Sequence, residues 1–235
     1  MTEQNITSLT YAYDEQNERS KTMEKTITIG QGTNTKTAII YIEGDGDLVL
    51  NKMNARNERS LLADDRKKIK EVPNKWEDII TAIHWRDDLK CTDTYKECNE
   101  KMLNDLLLNN APCITAFGLK KSFGQAVVRN EIDKYATKFD NAVNVVADKG
   151  RVPITFADYS IDERLMSPKK GSPVSVRLSH FSGWKAEIMI KYTDHVFSIE
   201  QIVNIINLAG FGLGIGSGRT SGYGRYHVTD ATIVG

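Results

Sequence analysis

The sequence is poor in several features that classify a protein at a glance. It has 3 cysteines and 5 prolines in 235 residues. So few cysteines, and an odd number, exclude a disulfide scaffold and fit a reducing compartment. It also lacks an excess of either charge, because 31 Lys+Arg balance 31 Asp+Glu. That balance argues against a uniformly basic wrapper of nucleic acid and against an acidic tail protein. The longest apolar stretch, residues 202–216, falls short of the ~18 residues a bilayer demands and is broken by Asn204 and Asn207. The N-terminal MTEQNITSLT lacks the basic-then-apolar layout of a signal peptide. Together these absences predict a cytoplasmic protein without a membrane partner.

What is present suffices for a core: 40% of the residues are hydrophobic. The length predicts one domain with elaborations. We expect a polar arm over residues 1–24, a domain over 25–235, and within it a charged excursion at about 51–75. The zero net charge hides a gradient. Residues 1–110 carry 16 basic and 20 acidic side chains, giving −4, and residues 111–235 carry 15 and 11, giving +4. The C-terminal half is therefore better suited to meet an anion.

Periodicity outlines a mixed fold. Residues 37–42 are rich in β-branched side chains and predict a strand, followed by a turn at 44–47 and a short apolar run at 48–50. Trp76, Ile79, Ile80 and Ile83 share a helical face, predicting a helix over 76–85, and a second is expected over 95–108. Pro112 suits the first turn of a third helix, from Cys113 to about Ala136, with Ile114, Phe117, Phe123, Val127 and Ile132 as its apolar face. Strands are expected at 142–147, 152–156 and 174–178, and the strict alternation of 184–192 marks a half-buried strand. Ser198 and Gln201 form a capping box, an apolar stripe runs from Ile199 to Ala209, and Gly210 is expected at the helix C-cap. Residues 225–234 form a closing strand. Strand, helix, glycine loop and strand are half of a ferredoxin-like or RRM-like α+β layout. In that layout an antiparallel sheet carries helices on one face, here with insertions and a C-terminal glycine-rich loop.

Residues 210–226 hold seven of the 17 glycines. A Walker A loop would need glycine at Leu213 and lysine at Arg219, and the dinucleotide fingerprint would place its third glycine on Arg219. The preceding helix presents its carbonyl end to the loop, so its dipole does not favour phosphate. An anion here must be held by bare N–H groups around Gly214, Gly216, Gly218, Gly222 and Gly224, and by Arg219 and Arg225. Tyr223 and Tyr226 are placed either to stack on bases or to pack into the sheet.

Gly214-Ile-Gly216, five residues, then Gly222-Tyr-Gly224 resembles the C-terminal glycine loop of the RAMP superfamily, the ferredoxin-like RNA-binding proteins of CRISPR systems. The string LAGFGLGIGSGRTSGYGRYHV, with IYIEGDGDLVLNKM near the front, also resembles phage-encoded RAMP-like proteins. The resemblance covers 176–228 well and 37–53 weakly. It implies a binder of single-stranded RNA or DNA, often a repeated subunit of a homo-oligomer or a multi-subunit assembly, in the host cytoplasm if phage-encoded. It further implies that a protruding loop near the first strand grips the nucleic acid. Lys52 and Arg56, with Arg59, Arg66, Lys67, Lys68 and Lys70, stand in such a segment beside acidic Glu58, Asp64 and Asp65.

Some RAMP proteins are metal-independent ribonucleases that use a histidine on the 2′-hydroxyl, chemistry suited to a group titrating near neutrality. Among His84, His180, His195 and His227, the weak catalytic candidate is His84, on the helix predicted over 76–85. The leading expectation remains a non-catalytic binder without cofactor. The alternatives are an endoribonuclease of the same superfamily, or a structural or protein-interaction subunit. His84, Cys91, Cys98 and Cys113 are zinc-capable types, but they lack the C-x2–4-C spacing of structural zinc sites, so no metal is expected. Asp45-Gly-Asp47 lacks the rest of an EF-hand.

Overall fold

The computed structural model describes residues 35–63, 73–89, 97–166 and 174–234. The polar arm at 1–24 lies outside them. In chain order the elements are β1 (Thr35–Gly44), β2 (Leu48–Leu50), α1 (Ala55–Leu62), α2 (Lys75–Thr81), α3 (Glu100–Asn109), β3 (Cys113–Thr115) and α4 (Ala116–Arg129). There follow α5 (Thr137–Ala142), β4 (Val143–Val146), β5 (Arg151–Thr155), β6 (Asp158–Met166), β7 (Val174–Ser182), β8 (Lys185–Thr193), α6 (Ile199–Gly212) and β9 (Tyr226–Val234).

The main sheet has six strands in the order β3-β5-β8-β1-β9, with β4 also paired to β8. Every pairing in it is antiparallel. The path β1, α4, β4 and β5, β8, α6, β9 is the ferredoxin-like order, in which each long helix returns the chain past one intervening strand. The period-2 pattern sets the layers. Ile40 faces Ile188 and Ala38 faces Ile190 across the β1–β8 ladder, and all four are buried. They meet Phe123, Ala126 and Val127 of α4 and Ile202, Ile206 and Ala209 of α6 in one core, while Lys185, Glu187, Met189 and Lys191 line the opposite, exposed face. A second sheet, β2-β7-β6, rises beside the first.

Several elements differ from expectation. The segment after Pro112 begins as a strand: Cys113 pairs with Pro153 and Thr115 with Arg151. The helix starts only at Ala116, where the Thr115 hydroxyl accepts the Gly118 N–H at 3.0 Å. It ends at Arg129 rather than Ala136, and Phe117 and Ile132 are exposed rather than part of an apolar face. Helix α2 stops at Thr81, because Trp85 bridges to Pro112 and donates its indole N–H to the Ile80 carbonyl at 2.8 Å. Gly210 is not a C-cap; α6 continues to Gly212, and Gly210 marks where the Tyr226 backbone crosses the helix, leaving no room for a Cβ. Tyr226 itself is fully buried. The capping box of Ser198 and Gln201 forms as expected. Among the described residues, no helix is long and apolar enough to cross a membrane.

Candidate functional site

Backbone geometry holds the glycine loop open. Gly224 has φ 68° and lies so close to the Ile215 carbonyl that a Cβ would overlap it. Gly216, at φ 75°, lies against the Val49 carbonyl. The Ile215 N–H donates to Gly224 at 2.9 Å, the Ser217 N–H to Val49 at 2.8 Å and the Gly224 N–H to Asp47 at 2.8 Å, so the loop is pinned to itself and to β2. Gly214 is buried, its carbonyl accepting the Ser122 hydroxyl of α4 at 3.1 Å. Gly218 and Gly222 flank a 3₁₀ turn, Arg219–Ser221, in left-handed conformations. Not every N–H of the loop is bare, therefore. Those of Gly216, Gly218, Arg219 and Thr220 donate to nothing among the described residues.

The same network draws in distant residues. The Ser217 hydroxyl donates to the Asn51 carbonyl at 3.2 Å, the Lys52 N–H to Ala82 at 2.8 Å and the Cys113 N–H to His84 at 2.7 Å. The result is an open cleft of about 200 Å³ whose walls include Lys52, His84, Lys121, Gly216 and Arg219. No carboxylate lines it among the described residues. The first turn of α4 opens onto it through Thr115 and Gly118, so a helix N-terminus does face this loop. It comes from α4 and not from the helix that precedes the loop, and its partial positive charge adds to the cations. At the C-terminal end of α6, an Arg225 guanidinium N–H donates to the Phe211 carbonyl at 2.8 Å. A second cleft of about 160 Å³, lined by Gln125, Arg129, Gly212, Thr220 and Arg225, adjoins the first through Arg219, which lines both.

The cleft's electrostatics favour an anion. Desolvation, then Lys52 and then Arg151 hold His84 below its ordinary imidazole range, so it is neutral at neutral pH. Desolvation, followed by Arg151, also lowers the Lys52 ammonium. An anion in the cleft would favour the charged form of each. Burial pushes the Cys113 thiol up to about 11, so it stays protonated and is not a nucleophile. His84 lies in the loop after α2 rather than on a helix.

Other sequence candidates are placed elsewhere. Arg56 forks onto Asp78 at 2.9 Å through both Nε and a terminal nitrogen. Tyr223 packs edge-on against His180, ring centroids 5.1 Å apart, beside Gly218. His227 contacts Asp45 at 2.6 Å. Arg66, Lys67, Lys68, Lys70 and Cys91 lie outside the described residues. Cys98 and Cys113 are buried and form no disulfide among the described residues. Sequence reasoning missed the stripe Phe117, Lys121, Gln125, Arg129 on α4, although its four-residue spacing is a legible signal.

No family model matches the sequence, and no curated protein does. Among solved structures, a chain of the Type III-B Cmr-beta complex bound to cognate target RNA is similar at 12% identity. That match covers 97% of this chain and 66% of the other, with a TM-score of 0.47. Cmr6 from Pyrococcus furiosus is similar at 12% identity over 83% of this chain and 98% of its own, with a TM-score of 0.37.

Proposed function

We propose that this chain is a RAMP-type, non-catalytic binder of single-stranded nucleic acid, RNA before DNA, akin to phage-encoded members and working as a repeated or multi-subunit component. The observation that carries the reading is the convergence of Lys52, Lys121, Arg219, the bare Gly216 N–H and the α4 N-terminus on one cleft with no carboxylate in its walls among the described residues. Such a site offers charge-assisted hydrogen bonds to phosphate oxygens. The RAMP-like glycine spacing supports the same ligand, and assembly is drawn from that resemblance. Titrating an unstructured RNA by fluorescence anisotropy at several salt concentrations tests the proposal. Lys52→Ala and Arg219→Ala should each weaken binding and lower the salt slope by about 0.7 per lost phosphate contact. Unchanged affinity in both variants would remove the cleft from the reading.

One observation favours a second reading, an endoribonuclease. His84 is neutral, half-buried and on the wall of the same cleft, as a general base on a 2′-hydroxyl requires. RNA left intact after prolonged incubation with the protein in EDTA would end it.

A further inference from the structure

Two large aromatic side chains stand in water where the cationic track begins and ends. Phe117, in the first turn of α4, is 77% exposed and precedes Gly118 of the first cleft. Phe211, near the end of α6, is 82% exposed; it precedes Gly212 of the second cleft, and its carbonyl holds Arg225. Leaving a phenylalanine this exposed forgoes the free energy that burying it would release. Between them run Lys121, Gln125 and Arg129, in step with Phe117 at four-residue intervals on one face of α4. From Phe117 to Arg129 the helix rises about 18 Å, the length of roughly five nucleotides of a stacked strand. A mononucleotide is too short to use such a track.

We infer that Phe117 and Phe211 are base-stacking platforms that bracket the phosphate track, making the ligand a single strand with its bases unpaired and turned toward the two rings. The inference rests on the nucleic-acid reading above and adds the base contacts that phosphate-binding groups alone do not supply. An aromatic ring stacks on the face of any unpaired base, whereas a duplex keeps those faces covered. Discrimination between single strand and duplex then comes from the phenylalanines, and grip on the backbone from the cations.

The test compares two probes on the full chain: an unstructured single-stranded RNA, and an abasic oligomer of equal length with the same phosphates and no bases. Phe117→Ala and Phe211→Ala should each weaken RNA binding by roughly 5- to 150-fold while leaving the abasic oligomer unaffected, and Phe→Trp should restore the RNA affinity. Arg219→Ala should weaken both probes. Both phenylalanines are exposed, so the variants should fold, as circular dichroism would verify. If the phenylalanine variants keep full RNA affinity while Arg219→Ala loses it, the platforms are overturned and the rings belong to a protein contact, with the nucleic-acid reading intact. Equal losses on both probes would also overturn stacking. A wild-type protein that binds neither probe overturns both readings together.

Discussion

Two groups of cations that look alike in the sequence meet opposite fates. Around α1 and α2, Arg56 pairs with Asp78 at 2.9 Å, Arg59 with Glu77 at 2.7 Å, and Arg177 with Asp78 at 3.4 Å and Glu163 at 2.9 Å. The Asp78 and Glu77 side chains are only 8% and 6% exposed. Around the glycine loop, Lys52, Lys121, Arg129 and Arg219 form no ion pair among the described residues. The difference follows from what is buried beside them. A desolvated carboxylate requires a cation, so the first group is committed to structure. Bare N–H groups and apolar walls require none, so the second group is left for a ligand.

This contrast can be broken by experiment. The largest effect should come from Asp78→Ala, which removes the buried carboxylate that Arg56 and Arg177 share: chemical denaturation should show a loss of about 3–5 kcal/mol, and a loss well under about 1 kcal/mol would mean the pairs are ornamental. Next, Gly224→Ala should cost about 1–3 kcal/mol from its left-handed backbone and abolish RNA binding by displacing the loop. Retained binding would detach the loop from the site. Arg219→Ala should then weaken RNA binding about tenfold, one charge-assisted hydrogen bond, while Arg56→Ala changes it less than about twofold. Equal losses would collapse the distinction between committed and available cations.

The smallest effect concerns pH. Because His84 is depressed in the free protein, its contribution to stability is full above the ordinary imidazole value and declines as pH falls through that value toward the lower folded one. Bound phosphate acts in the opposite direction. It favours the imidazolium against the repulsion of Lys52 and Arg151, so the complex takes up a proton and RNA binding tightens on acidification. Affinity measured across that range in wild type and His84→Ala should diverge toward low pH, and parallel curves would take His84 out of the cleft.

Legibility differed between the fold and the site. The strict alternation of β8, the capping box of α6 and the glycine spacing were readable because each is a local rule with a period or a fixed offset. The helix start was misplaced at Cys113 because a three-residue strand pairing with β5 outweighs the preference of Pro112 for a helical first turn. Phe117 was assigned to an apolar face because helical spacing identifies which residues share a face and not whether another element covers it. Arg56 was grouped with the phosphate ligands because its partner, Asp78, lies 22 residues away.

The amino-acid sequence alone determined that the chain builds an antiparallel α+β layer and that a glycine-rich loop with Arg219 sits between its last helix and strand. Only the tertiary structure decided which other side chains join that loop. Lys52, His84 and Lys121 reach the cleft through the Ser217 hydroxyl on the Asn51 carbonyl, through backbone hydrogen bonds linking residues 52 to 82 and 84 to 113, and through the face that α4 turns toward the loop. No local propensity encodes such pairings, because their partners are selected only when the sheet closes and every buried N–H and carbonyl must find one.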